Sequence, residues 1–444
     1  MQPKTVDLLI KDVMVLKMDP KRTFLEKASL AVDGGYIVDI GSELAYEPEK
    51  VITLKQGVAL PGLINCHMHG TLTRGICEDM KLMDWLNEIC YPLDAQYNPE
   101  IISVSEQLNQ LEMIMSGTTT FVDIYRYMDS AARVLLKSGL RGFLTPQVVD
   151  IPQGVGETFA DNVELFHNWH GKGNGRINVW MGVHAPYTSV EETYVRAKEF
   201  ADAHNIGIHT HVAETLDEVA MFQEKHGKTP FEFLDSLGVL GGPFLAAHCI
   251  HVTESDMDIM AANDVTAVYN PISNMKLASG IAPVARMREK GIRVVLGTDS
   301  NLSNNSIDLV KELQIAGPLQ KLGRMDAAVL KSYEVLEMAT IRAAEALGIE
   351  ESVGSLEVGK KADIILFDFD RPHLWPYLTG ERNNIVEQIV YSANGADVHT
   401  TIVDGKVLME NREVKTLCRQ EIFAKSQKML KRLCVGAGLI SGND

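Results

Sequence analysis

Eight short apolar runs recur between residues 58 and 299, separated by stretches whose apolar residues repeat at helical spacing. The runs are 58–69, 118–125, 139–149, 177–187, 206–214, 244–251, 265–273 and 293–299. Between the fourth and fifth, residues 190–205 place Val190, Tyr194, Ala197, Phe200 and Ala201 near one helical face. Between the sixth and seventh, residues 254–263 follow Thr253, whose hydroxyl suits the exposed N–H groups of a helix start. Strands alternating with helices form a parallel sheet, because each return to the same direction needs a crossover. Eight such units in about 250 residues predict an α/β protein built on a closed (β/α)8 barrel of TIM type. Strands apolar along their whole length fit burial on both faces.

Both chain ends follow a different pattern. Residues 6–10 and 29–40 alternate with period two around Gly34-Gly35, and the same alternation returns at 362–368 and 401–409. Residues 1–57 with 355–415 are therefore expected to build one small β-sandwich, into which the barrel, 58–354, is inserted. The remainder, 416–444, is expected to be a helical tail over residues 419–433. The net charge of −17 disfavours nucleic acid and anionic membrane as partners. No run approaches the roughly 18 apolar residues of a membrane helix, and the first residues lack a basic, then apolar, leader. The six cysteines show no paired spacing and are expected to be reduced thiols of a cytoplasmic protein.

In such a barrel the chemistry sits where the strands end. The first run ends in His67-Met68-His69, two imidazoles on one side of a strand. The fourth ends in His184, the fifth carries His209-Thr210-His211 and then Glu214, the sixth ends in His248 and the eighth in Asp299. Neutral nitrogen donors and carboxylates converging on one rim are the material of a metal site.

With these residues in place, the chain resembles the amidohydrolase superfamily. The resemblance rests on 60–69, on Gly297-Thr298-Asp299 and on the split end domain. Arg74-Gly75 before Trp85-Leu86, 211–215, 270–277 and Ser303-Asn304-Asn305 are similar to the branch of methylthioadenosine/S-adenosylhomocysteine deaminases and triazine hydrolases. The resemblance implies that His67, His69, His211 and Asp299 hold one divalent metal, zinc or else iron. A second metal is not expected, because the fourth run has no lysine to bridge it. It also implies that Asp299 takes a proton from water, Glu214 passes one to the ring nitrogen, His248 orients the water, and His184 hydrogen-bonds the substrate. His209 is expected to support the ligands from behind, and Cys66 to be core. Met80, Met83, Trp85 and Leu86 are expected to wall the pocket or to pack a helix.

The implied reaction is hydrolytic deamination of an amino-substituted nitrogen heterocycle, foremost the adenine ring of a nucleoside such as methylthioadenosine. The alternative is loss of an amine or halide from an s-triazine, guanine or pterin. Asp94 stands where the resemblance implies a glutamate for ribose hydroxyls; it is shorter by one methylene but still able to accept two hydrogen bonds. Residues 144–158 contain no arginine or lysine to hold a substrate carboxylate, which favours a neutral 5′ group. The resemblance further implies a homo-oligomer acting on a small-molecule substrate.

Overall fold

The computed structural model describes residues 4–441 apart from 77, 81 and 153. Cys77 and the side chains of Met83 and Leu86 lie outside what is described.

The parallel strands are β1 (Leu63–Met68), β2 (Thr118–Tyr125), β3 (Arg141–Pro146), β4 (Ile177–Val179, resuming at Met181–Gly182), β5 (Ile208–Val212), β6 (Phe244–His248), β7 (Thr266–Tyr269) and β8 (Val294–Leu296). Every residue of β1, β2, β3, β5, β6, β7 and β8 is buried. They pair in two parallel sheets that divide at Trp180 within β4. The sheets also meet at their edges. Val148 bridges Val183 on one side, and on the other the N–H groups of Thr298 and Asp299 both donate to the His67 carbonyl at 3.0 Å. Crossover helices begin where capping chemistry allows. At Glu254–Ala262 the Thr253 hydroxyl and the Asp256 carboxylate satisfy each other's backbone N–H.

The expected strand 58–69 is in fact two strands. Gly57–Pro61 pairs antiparallel with Ile364–Asp368, and the chain turns at Gly62 before β1 begins. Gly62 donates to the Asp363 carbonyl at 3.0 Å, and a Cβ there would lie 2.0 Å from Thr119 Oγ1. An apolar run shows no sign of such a corner, because both halves are equally buried.

The two chain ends meet in one nine-stranded mixed sheet. Its turn at Gly34-Gly35 has φ of 58° and 84°, the mirror-image geometry that glycine adopts without strain. Leu8, Ile10, Leu30, Val32, Leu366 and Ile402, from both ends, share one apolar core. A buried ion pair, Arg141 Nε to Asp363 Oδ2 at 3.0 Å with Nη2 to Oδ1 at 3.2 Å, fastens β3 to this sheet. The tail is the helix Arg419–Gly436, packed on Pro99–Ser116.

Candidate metal centre

His69 and His211 point their ring edges at each other across the ends of β1 and β5. Each Nδ1 lies against a carbonyl, His69 on Ile124 O at 2.5 Å and His211 on His184 O at 2.6 Å. A carbonyl only accepts, so both Nδ1 atoms carry the hydrogen. Burial pulls both imidazoles below their ordinary range, His211 well below it. The neutral rings therefore present bare Nε2 lone pairs, which lie 3.2 Å apart.

His67 completes the group. It is fully buried, its Nε2 has no hydrogen-bond partner, and burial lowers its pKa well below the usual value. Its Nδ1 meets His209 Nε2 at 3.0 Å. His209 Nδ1 in turn lies 3.5 Å from Thr145 Oγ1, which donates to Asp123 O. This relay fixes the tautomer that leaves His67 Nε2 bare. Asp299 Oδ1 lies 3.4 Å from His69 Nε2 and 3.7 Å from His67 Nε2.

Donor atoms of His67, His69 and His211 fall within 4.8 Å of one another, as do those of His67, His248 and Asp299. Three neutral imidazoles and a carboxylate, with an orphaned buried nitrogen among them, fit a divalent ion. His248 belongs to the same cluster.

Two further ionisable groups lie beside these donors. Glu214 Oε2 is 3.7 Å from His248 Nε2. Burial raises the Glu214 carboxyl, with Asp299 adding to the effect and His248 opposing it. Burial disfavours charge on His248, but the carboxylates of Glu214 and Asp299 prevail and raise its pKa. Positive φ at Ala213 (55°), His248 (74°) and Asp299 (62°) marks abrupt turns where the strands end.

Asp94 lies at the end of the short helical turn Tyr91–Asp94 and accepts from Tyr125 OH at 2.8 Å. His184 is tied through Nδ1 to Thr188 Oγ1 at 2.7 Å, and its ring centre is 5.0 Å from that of His211. Trp85, 9% exposed, is part of the apolar core. Cys66 is buried, as expected.

Several contributors had no expected role. Ser273 Oγ donates to Asp299 Oδ2 at 2.5 Å, and Asn274 Oδ1 meets His248 Nδ1 at 3.0 Å. Both lie on the helix Pro271–Lys276, inside a stretch already singled out for resemblance. Glu218 accepts from the N–H groups of Ala213 and Glu214 at 2.8 and 2.9 Å, and burial pushes its carboxyl up to about 7. Its signal was the Thr215–Glu218 spacing of a helix start. Arg126, directly after β2, donates from Nη2 to the Asp94 carbonyl. No local spacing announces it.

The amidohydrolase family model matches residues 58–408. The chain belongs to the amidohydrolase family. This amidohydrolase is 40% identical over 433 residues to a 5-methylthioadenosine/S-adenosylhomocysteine deaminase of Thermoanaerobacter pseudethanolicus, covering 96% of this chain and 99% of the relative. It is 40% identical over 432 residues to a 5′-deoxyadenosine deaminase of Methanobrevibacter smithii, covering 96% and 98%. Among solved structures it superposes on a zinc-bound adenosine deaminase from Xanthomonas campestris with TM-score 0.92, 30% identity and coverage of 97% and 99%. The zinc-complexed atrazine chlorohydrolase of Arthrobacter aurescens shares the fold, with TM-score 0.87, 23% identity and coverage of 95% and 100%.

Proposed function

We propose that this amidohydrolase removes the amino group from the adenine ring of a nucleoside such as methylthioadenosine, releasing ammonia. The observation that carries the reading is the near-contact of Glu214 Oε2 and His248 Nε2, 3.7 Å apart, beside a set of metal donors. A proton donor, a proton acceptor and a ligand set thus share one mouth, in a chain 40% identical to named deaminases.

In this reading His67, His69, His211 and Asp299 hold one divalent ion, zinc, the metal named with the 30% identical adenosine deaminase structure. Such an ion, when bound, lowers the pKa of a bound water toward about 7. Asp299 accepts a proton from the attacking water, and His248 hydrogen-bonds that water and aims its oxygen at the amino-bearing ring carbon. Glu214, whose carboxyl burial raises, gives its proton to the adjacent ring nitrogen as the carbon–oxygen bond forms. The amino group takes up the water's proton from Asp299. The carbon–nitrogen bond then breaks as the new hydroxyl returns its own proton to Glu214, leaving a ring carbonyl and ammonia. His184 hydrogen-bonds the substrate through the nitrogen not held by Thr188, Asp94 accepts from two ribose hydroxyls, and Trp85 walls the pocket.

The finer architecture belongs to the same reading. The two parallel sheets close into a (β/α)8 barrel over 58–354, supported by the bonds from Thr298 and Asp299 to His67. Residues 1–57 and 355–415 form the two-layered end domain, and 416–444 form the tail. The enzyme works as a cytoplasmic homo-oligomer without nucleic acid or membrane. No described helix is long and apolar enough to cross a membrane.

An ammonia-release screen over adenosine nucleosides, guanine, pterins and aminotriazines tests the function. Turnover of 5′-substituted adenosines above the rest is the expected result, and turnover confined to a sugarless ring overturns it.

A further inference from the structure

Three consecutive residues at the end of β2 hold two different parts of the site. The Ile124 carbonyl receives His69 Nδ1–H, Tyr125 OH donates to Asp94 Oδ1, and Arg126 Nη2 donates to the Asp94 carbonyl. The same Arg126 nitrogen is 4.0 Å from Asp94 Oδ2. Arg126 also faces Glu157, whose Oε1 accepts from Tyr127 N. The guanidinium thus lies between the segment that carries Asp94 and the loop that follows β3.

Asp94 lies on a short element. The segment before it is a succession of short turns, Leu82–Trp85, Leu86–Cys90 and Tyr91–Asp94. By contrast β2 is buried at all eight positions and paired on both sides, by β1 and β3. A carboxylate that must meet two hydroxyls needs its position fixed to a fraction of an ångström.

We propose that Arg126 and Tyr125 are positioning residues that lock Asp94 in register with His69, and so set the preference for a substrate bearing vicinal hydroxyls. The inference rests on the proposed function, in which Asp94 reads the sugar. Tyr125 occupies one carboxylate oxygen and leaves the other for the ligand. Arg126 anchors the main chain beneath it and opposes the burial that raises the Asp94 carboxyl. Because Ile124 orients His69 from the same strand end, the spacing between sugar and ring carbon is set by a rigid strand.

The test compares kcat/KM for adenosine with that for its 2′,3′-dideoxy analogue, in wild type, R126A, R126K, Y125F and D94A, all zinc-loaded and checked for folding by circular dichroism. The expected result is a ribo-to-dideoxy ratio that falls about tenfold in R126A and Y125F, with R126K between these and wild type. The loss lies mainly in KM, and R126A adds nothing in the D94A background. If R126A fails to fold, Y125F and R126K carry the comparison. A collapse of the ratio in D94A with both tether variants at the wild-type ratio overturns the inference and leaves the sugar reading standing. An unchanged ratio in D94A overturns the sugar reading itself. Equal loss on both substrates in the tether variants means a structural role only and also overturns the inference.

Discussion

His69 Nε2 and His211 Nε2 lie 3.2 Å apart with no hydrogen between them, since each ring spends its hydrogen on a main-chain carbonyl at its other nitrogen. Two lone pairs at that distance repel. The arrangement fits a cation shared between the nitrogens.

Chelation is therefore expected to abolish ammonia release and to lower the melting temperature, with zinc restoring both. An ion present at 1,000 times its Kd stabilises by about 4 kcal/mol, so the shift is several degrees in differential scanning calorimetry. An unchanged melting curve after verified metal removal contradicts the assignment.

Glu214→Gln keeps the shape of the side chain and removes its proton. A fall in kcat of about 10² to 10⁴ is expected, at unchanged metal content by elemental analysis. Turnover equal to wild type excludes Glu214 as the proton donor.

Ser273 and Asn274 orient Asp299 and His248 from adjacent positions on one helix. Ser273→Ala and Asn274→Ala are each expected to lower kcat about 10- to 100-fold, the usual cost of losing a group that orients a ligand. Steady-state kinetics at saturating zinc separates this loss from weakened metal binding.

Burial pushes the Glu312 carboxyl up to about 8, although it accepts from Asn304 Nδ2 and Ile272 N. A glutamate in the unfolded chain titrates near about 4.3. Between those values the folded protein keeps a proton that the unfolded chain has released. Stability is thus expected to fall as pH rises from about 4.5 to about 8 and to level off above that. Urea unfolding across this range reads the slope, and Glu312→Gln is expected to flatten it. A variant with the wild-type slope places the effect elsewhere.

The Arg141–Asp363 pair is buried on both sides. Arg141→Ala strands the carboxylate and is expected to destabilise by about 3–5 kcal/mol, read from the denaturation midpoint. Removing both charges with Arg141→Met and Asp363→Leu is expected to cost less.

What the sequence made legible is what repeats or has fixed spacing. The eight buried strands declare themselves by continuous apolar runs, and His67, His69, His211, His248 and Asp299 by their place at strand ends. Thr253 marked its helix start correctly. Arg126 stayed hidden because its partner, Asp94, is brought to it by the fold alone. Gly62 stayed hidden because a corner between two buried strands leaves hydropathy unchanged. Ser273 and Asn274 were visible as letters, but what they touch is decided by where β6 and β8 end.

The sheet that joins the two chain ends has a bearing on biosynthesis. Pro61 pairs with Ile364, so at about 5–20 residues per second the strand Gly57–Pro61 waits roughly 15 to 60 s for its partner to leave the ribosome. Throughout that interval it is an uncovered edge of apolar backbone, open to a chaperone or to another nascent chain. Linking the two termini and opening the chain at a surface loop elsewhere would let these strands emerge together.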